Sequence, residues 1–428
     1  MIAIPEELAL FGGPRTISTS FKRYNPIGRE EVEAASAVVE SGLLSRFLGC
    51  WAPDFFGGPK VQEFERACEG YFGVKHAVTV NSATSGLIAA IGALGIEPGD
   101  EVIVSPWTMS ASATAILHWN GIPVFADIEP ETFCLDPAAV AANITPYTRA
   151  IMAVDIFGHS ANLDALMAIA AKHGLKVISD SAQAPGATIR GKPAGTLADA
   201  GCYSLNYHKH IHTGEGGILV TDDDDTGERM RLIRNHAEAV VSDKGVTRLD
   251  NMIGYNFRLG EIECAIGIEQ LKKLKGCVGT RQRAAERLTS GLQGLCGLRP
   301  PVVMPDCTHA YYVYPIVLDV AQLGVSRDRI YEALAAEGVE GLAPGYANLH
   351  LLPMYQQKLA FGSKGFPWTS DICHREVDYR KGICPVAETL HERSFVGLEM
   401  CMHELTDHEV DLMVRAFHKV WTQLGSLK

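Results

Sequence analysis

Between about Gly73 and Asp222 the chain alternates short apolar runs with amphipathic stretches. Glu101–Ser105, Pro123–Ala126, Ala150–Val154 and Leu175–Ser179 are short, apolar or β-branched, and bounded by Gly, Asp or Pro. Such runs suit strands buried on both faces. Helix-like segments, such as Pro137–Ala142 and Leu163–His173, lie between them. Strand–helix alternation predicts a mostly parallel sheet covered by helices. After Leu259 the texture changes. Two long amphipathic stretches, Glu261–Lys275 and Arg281–Leu295, precede a strand-like run, Tyr311–Leu318, and a helix, Arg327–Glu337. Thr406 and Glu409 form a capping box for a last helix, along which Val410, Met413, Val414, Phe417, Val420 and Trp421 recur at helical spacing. The pattern predicts a large α/β domain with an N-terminal arm, residues 1–280, and a smaller C-terminal α+β domain, residues 281–428. Residues 345–380 are rich in Gly, Pro, Tyr and His and read as a long irregular segment. In compact enzymes such segments are often functional.

Composition narrows the function classes. With 38 Lys+Arg against 50 Asp+Glu the net charge is −12, which argues against a nucleic-acid or anionic-membrane surface. Eleven cysteines without a C-x-x-C pair read as reduced thiols in a cytoplasmic protein. Met1 to Leu10 holds two glutamates and no basic region, unlike a signal peptide. No apolar run is long enough for a membrane span. Asp222 to Asp225 reads as a solvated loop after a strand, and no metal-ligand spacing appears.

Four features carry chemistry. Asp180 follows the run Leu175–Ser179, with Gln183 three residues on. Ser204 ends another strand-like run, and Lys209 comes five later. Gly214-Glu215-Gly216-Gly217 then leads into the strand Ile218–Thr221. Asn81-Ser82-Ala83-Thr84-Ser85-Gly86 links the apolar run Ala77–Val80 to the helix-like Leu87–Leu94. Open α/β sheets place ligands at the C-terminal ends of parallel strands. A lysine there can form a Schiff base with a carbonyl, and a carboxylate can hold a pyridinium nitrogen. Small hydroxyl residues at a helix N-terminus make an anion site. Each signal alone is weak; a helix cap, a surface lysine or a tight glycine turn explains it. Their order and spacing raise the combination above those readings.

These motifs resemble the DegT/DnrJ/EryC1/StrS sugar aminotransferases within the fold-type I pyridoxal 5′-phosphate (PLP) enzymes. The resemblance runs from about Asn25 to Phe417. Asp180-Ser181-Ala182-Gln183 is similar to the family's D-x-A-Q/H element, and Ser204 through Lys209 with Gly214–Gly217 is similar to its lysine loop. Ile253-Gly254-Tyr255-Asn256-Phe257-Arg258, followed by Gln270-Leu271, is similar to its G-x-N-x-R segment. The resemblance implies that Lys209 is the Schiff-base lysine, that Asp180 pairs with the pyridine nitrogen, and that Gln183 lies near the ring 3-oxygen. It implies that Ala83, Thr84, Ser85 and Ser204 line the cofactor site, the last three at the phosphate, with Asn256 reaching in from the partner of a homodimer. The implied donor is glutamate or glutamine and the implied acceptor a keto-sugar, typically nucleotide-linked.

Two departures stand out. The family's ring-stacking position falls on Met109, with Trp107 two residues earlier in Pro106–Ser110. Lys209 is flanked by His208 and His210, and a branch that puts histidine at the lysine position is a sugar 3-dehydratase. The spacing from Ser204 puts lysine there, which favours transamination over that dehydratase. A non-catalytic regulatory protein on the same fold is the third reading, opposed by the intact Asp180, Gln183, Ser204 and Lys209. His309 and His350 read as structural, and Lys22, Arg23 and Tyr24 as solvated surface rather than a diphosphate site.

Overall fold

Val, Ile and Ala dominate the buried runs, and each becomes a strand of one central sheet. The computed structural model describes residues 7–428, so the first six residues of the stretch Met1–Leu10 lie outside the described part. In chain order the strands are β1 (His76–Val80), β2 (Glu101–Val104), β3 (Ile122–Phe125), β4 (Thr148–Val154), β5 (Lys176–Asp180), a separate small ribbon of β6 (Thr188–Ile189) and β7 (Lys192–Pro193), β8 (Ala200–Ser204) and β9 (Gly217–Thr221). The sheet order is β1-β9-β8-β5-β4-β2-β3. Only β9 runs antiparallel to its neighbours. Every residue of β2, β3, β8 and β9 is buried, which is why these strands show no in–out alternation. A smaller antiparallel sheet follows, made of β10 (Leu298–Arg299), β11 (Val313–Leu318), β12 (Leu342–Pro344) and β13 (Phe395–Glu399) in the order β10-β11-β13-β12. The molecule thus has a large, mostly parallel sheet with helices and a smaller antiparallel part, the architecture the resemblance implies.

Two local expectations change. The stretches Glu261–Lys275 and Arg281–Leu295 are one helix, Glu261–Leu292, of 32 residues. The intervening Gly276-Cys277-Val278-Gly279-Thr280 lacks proline, and its two glycines cost the helix about 1 kcal/mol each, comparable to what the burial of Val278 contributes. The acidic run is not a loop. Asp223 caps the helix Asp224–Arg234 by accepting from the Thr226 N–H, and Asp224 and Asp225 sit in its positive first turn.

We propose that the two domains divide within the long helix. Cys264, Ile268, Leu271 and Val278 pack with Phe64, Phe72 and Tyr203 beside the large sheet, whereas Ala284, Leu288 and Leu292 pack with Leu334, Met413 and Phe417. Two segments pack across that division. Leu8, Ile17 and Phe21 of the N-terminal arm join the small core, and Tyr355, Trp368 and Tyr379 of the irregular segment join the large one. The Tyr379 hydroxyl donates to the Pro123 carbonyl of β3 at 2.7 Å and accepts from Trp368 Nε1 at 2.9 Å. The last helix is Asp407–Trp421, with Thr406 and Glu409 forming the expected capping box.

Candidate active site

Parallel strands that end along one edge bring their following loops together there. Asp180 is the last residue of β5 and Ser204 the last of β8, and Lys209 sits on the loop between β8 and β9. With the loops after β1 and β2 they enclose a cavity of about 230 Å³. Ala83, Thr84, Met109, Asp180, Gln183, Ser204 and Lys209 all line it, as do Asn206, His208, Tyr312 and Tyr346.

One end of the cavity is built for an anion. Ser82 caps the helix Ala83–Ala93 by accepting from the Ser85 N–H at 3.1 Å, and the Ala83 and Thr84 N–H groups have no acceptor among the described residues. These unpaired donors sit at the positive end of the helix dipole. Gly217 makes the arrangement possible: a Cβ there would stand 2.8 Å from the Ala83 nitrogen. The Ser85 hydroxyl is turned away from the cavity and donates to Asn81 Oδ1 at 2.7 Å.

Around Asp180 the environment is dry but polar. The carboxylate accepts from the Ser112 hydroxyl at 2.7 Å and from the Ala182 N–H at 3.2 Å. Burial pushes its pKa up from the ordinary value, and Ser112, Ala182 and the charge of Lys209 act the other way. Burial lowers Lys209 to about 8, against the pull of Asp180 and Cys401. A lysine held there exchanges a proton readily near neutral pH. Gln183 is fixed at both ends: its Oε1 accepts from the Phe157 N–H at 2.8 Å, and its Nε2 donates to the Tyr346 hydroxyl at 3.0 Å. Phe157 adopts a left-handed backbone (φ +58°) to present that N–H.

Trp107 is fully buried, among Phe133, Phe157, Tyr346 and Phe395, and Thr108 and Met109 are the residues of that segment that line the cavity. Asn256 is exposed and lies outside the cavity; its backbone bridges to Asn235, and its carbonyl accepts from Asn81 Nδ2 at 3.3 Å. His309 and His350 are buried and do not line the cavity; His350 Nε2 pairs with Glu388 at 2.9 Å. Lys22 is exposed and pairs with Glu404. Tyr24 is not free surface: its hydroxyl donates to the His210 carbonyl at 2.7 Å, and Arg281 lies 4.0 Å from its ring centroid. Among the described residues no cluster of His, Cys, Asp and Glu has the make-up of a metal site, and no helix is long and apolar enough to cross a membrane.

Sequence reasoning missed Tyr312 and Tyr346, which line the cavity, and Ser112, which braces Asp180 from behind it. Ser112 left no signal, since it is an ordinary small residue in the first turn of the helix Ala111–His118. Tyr346 opens the irregular segment whose composition did stand out.

The family model for the DegT/DnrJ/EryC1/StrS aminotransferase family matches residues 51–389. The chain is 34% identical over 422 residues to L-glutamine:scyllo-inosose aminotransferase of Streptomyces griseus, covering 96% of this chain and 97% of that one. It is 38% identical over 299 residues to GDP-perosamine synthase of Caulobacter vibrioides, covering 70% and 79%. The crystal structure of DesI in the presence of its TDP-sugar product superposes with a TM-score of 0.79 at 29% identity, covering 97% of this chain and 96% of that one.

Proposed function

This chain belongs to the DegT/DnrJ/EryC1/StrS aminotransferase family, and from that premise we propose that it moves nitrogen from glutamine or glutamate to the keto group of a sugar or cyclitol, using PLP bound in the cavity described above. The single observation that carries the reading is that the buried Lys209 and Asp180 line one cavity that also takes in the unpaired start of the helix Ala83–Ala93. That set fits a phosphorylated pyridine aldehyde, with amine, carboxylate and anion cradle each serving one of its groups. When bound, the cofactor supplies an electron-withdrawing ring that carries nitrogen from donor to acceptor.

The residues have separate tasks. Lys209 Nζ is the covalent attachment point and, once released, the acid and base at the reacting carbon. Its pKa of about 8 suits both roles. Asp180 would hold the ring nitrogen in its charged form, and Ser112 and Ala182 orient the carboxylate. Gln183, braced by Phe157 and Tyr346, would contact the ring 3-oxygen. Thr84, Ser204 and the Ala83 N–H would hold the phosphate, and Met109 would cover a ring face. We further propose a homodimer in which the exposed Asn256 completes the partner's phosphate site.

A keto-cyclitol acceptor is a specific form of this reading. It is supported by the likeness to L-glutamine:scyllo-inosose aminotransferase, which aligns along 96% of this chain. The test is to charge the protein with amide- and amine-¹⁵N glutamine and offer scyllo-inosose, 2-deoxy-scyllo-inosose or a nucleotide-linked keto-sugar. Label in an aminated ring product supports transamination. A deoxy product without gained nitrogen, the outcome of a sugar 3-dehydratase, refutes it.

A further inference from the structure

Tyr312 and His208 form a structured pair beside Lys209 that the functions assigned above do not use. Tyr312 stands just before β11, on the small-domain side, and its carbonyl is held by the Met400 N–H at 3.1 Å. Its ring faces Lys209, whose Nζ lies 4.1 Å from the ring centroid. Its hydroxyl lies 2.7 Å from Nδ1 of His208, the residue preceding the lysine. One tyrosine from the small domain therefore engages two consecutive residues of the lysine loop.

We propose that Tyr312 is a positioning residue for Lys209, and that His208 sets the tyrosine ring by accepting a hydrogen bond from its hydroxyl. Both partners of that bond are neutral. Burial and the charge of Lys209 hold His208 near 4, so its ring is neutral and one of its two nitrogens is an acceptor, the role proposed for Nδ1. Burial raises the Tyr312 hydroxyl, which stays protonated and donates. An aromatic face attracts an ammonium more than a free amine. The ring thus works against the burial that lowers Lys209 and confines the Nζ group to one side of the cavity. The other titratable groups around the lysine are Asp180 at the end of β5, Cys401 just after β13, and His210, whose pKa burial also lowers. None of these is bonded to the Tyr312–His208 pair.

The inference rests on Lys209 as the attachment point, but its test does not need turnover. Full-length protein stripped of cofactor is labelled with limiting acetic anhydride across a pH series, and the Lys209 peptide is quantified by mass spectrometry. Tyr312→Leu should lower the Lys209 midpoint by roughly half a unit or more. His208→Leu should move it the same way, and His208→Asn, which keeps an acceptor near Nδ1, should restore it. Circular dichroism establishes that each variant is folded, and the two His208 variants carry the test if Tyr312→Leu is not. A Tyr312→Leu midpoint within about 0.2 units of wild type overturns the positioning role. Equal midpoints for His208→Leu and His208→Asn overturn the role of the histidine. Failure of the aminotransferase reading itself would show elsewhere, as label-free product in the nitrogen-transfer assay.

Discussion

The hydroxyl of Ser112 donates a 2.7 Å hydrogen bond to Oδ2 of Asp180, across 68 positions of sequence. The serine comes from the helix after β2 and the aspartate from the end of β5. Removing the donor leaves a buried carboxylate oxygen short of a partner, and the carboxyl, already raised by burial, rises further. Ser112→Ala should therefore slow nitrogen uptake from glutamine by roughly threefold to tenfold. Asp180→Asn should cost on the order of 10³-fold, since the amide cannot hold a charged ring nitrogen. Stopped-flow absorbance of the donor half-reaction measures both, and an Asp180→Asn protein of near wild-type rate would reduce Asp180 to a turn residue.

Lys209 is the expected point of covalent attachment. Borohydride reduction of PLP-loaded protein, followed by peptide mass analysis, should place pyridoxyl on the peptide that contains Lys209. Label on another lysine would move the site.

The titration of Lys209 also sets a pH dependence. Its folded value, about 8, lies below its ordinary value of 10.5. The folded state therefore binds the proton less well than the unfolded state. The resulting penalty is fully present below pH 8 and is relieved as pH rises from about 8 to 10.5. Cofactor-free wild type should gain stability over that window relative to Lys209→Met, as read by urea unfolding. Cofactor uptake, which needs the free amine, should rise with a midpoint near pH 8. A midpoint near 10 would mean the lysine is solvated.

Shared sites have a combinatorial signature. Lys209→Ala and Asn256→Ala homodimers should both be impaired, Lys209→Ala the more severely. Subunit exchange between them makes heterodimers with one doubly altered site and one intact site, so activity per heterodimer should climb toward half of wild type. A mixture that stays at the average of its parents, with exchange verified by differential tags, excludes Asn256 acting in trans.

The N-terminal arm depends on one buried ion pair. Glu337 accepts from the Ala9 N–H, the Thr16 N–H and hydroxyl, and Lys419 Nζ, and both charged side chains are almost fully buried. Burial acts to raise the Glu337 carboxyl, but these donors together hold it below its ordinary value. Its contribution is therefore present above about pH 4.5 and is lost as pH falls further. Lys419→Met, which strands the carboxylate, should destabilise the fold by about 3–5 kcal/mol in chemical unfolding at neutral pH. A loss below about 1 kcal/mol would mean the site admits water.

What the sequence determined by itself was whatever local spacing encodes. Fully buried strands declare themselves as unbroken apolar runs, so β2, β4 and β5 were legible to within a residue or two at each end. Asp180, Gln183, Ser204 and Lys209 were legible because a parallel sheet delivers the residues after its strands to one edge. The join at Gly276–Thr280 was not legible, because only the packing of Val278 beside the large sheet tells a continuous helix from two. The tertiary structure alone decided that Ser112 braces Asp180, that Tyr346 braces Gln183, and that Tyr312 of the small domain faces Lys209. Those partners lie from 68 to 163 positions away for the two hydrogen bonds. No periodicity records such pairings, since a side chain's contacts at that distance are set by how sheets and domains stack and not by its neighbours in the chain.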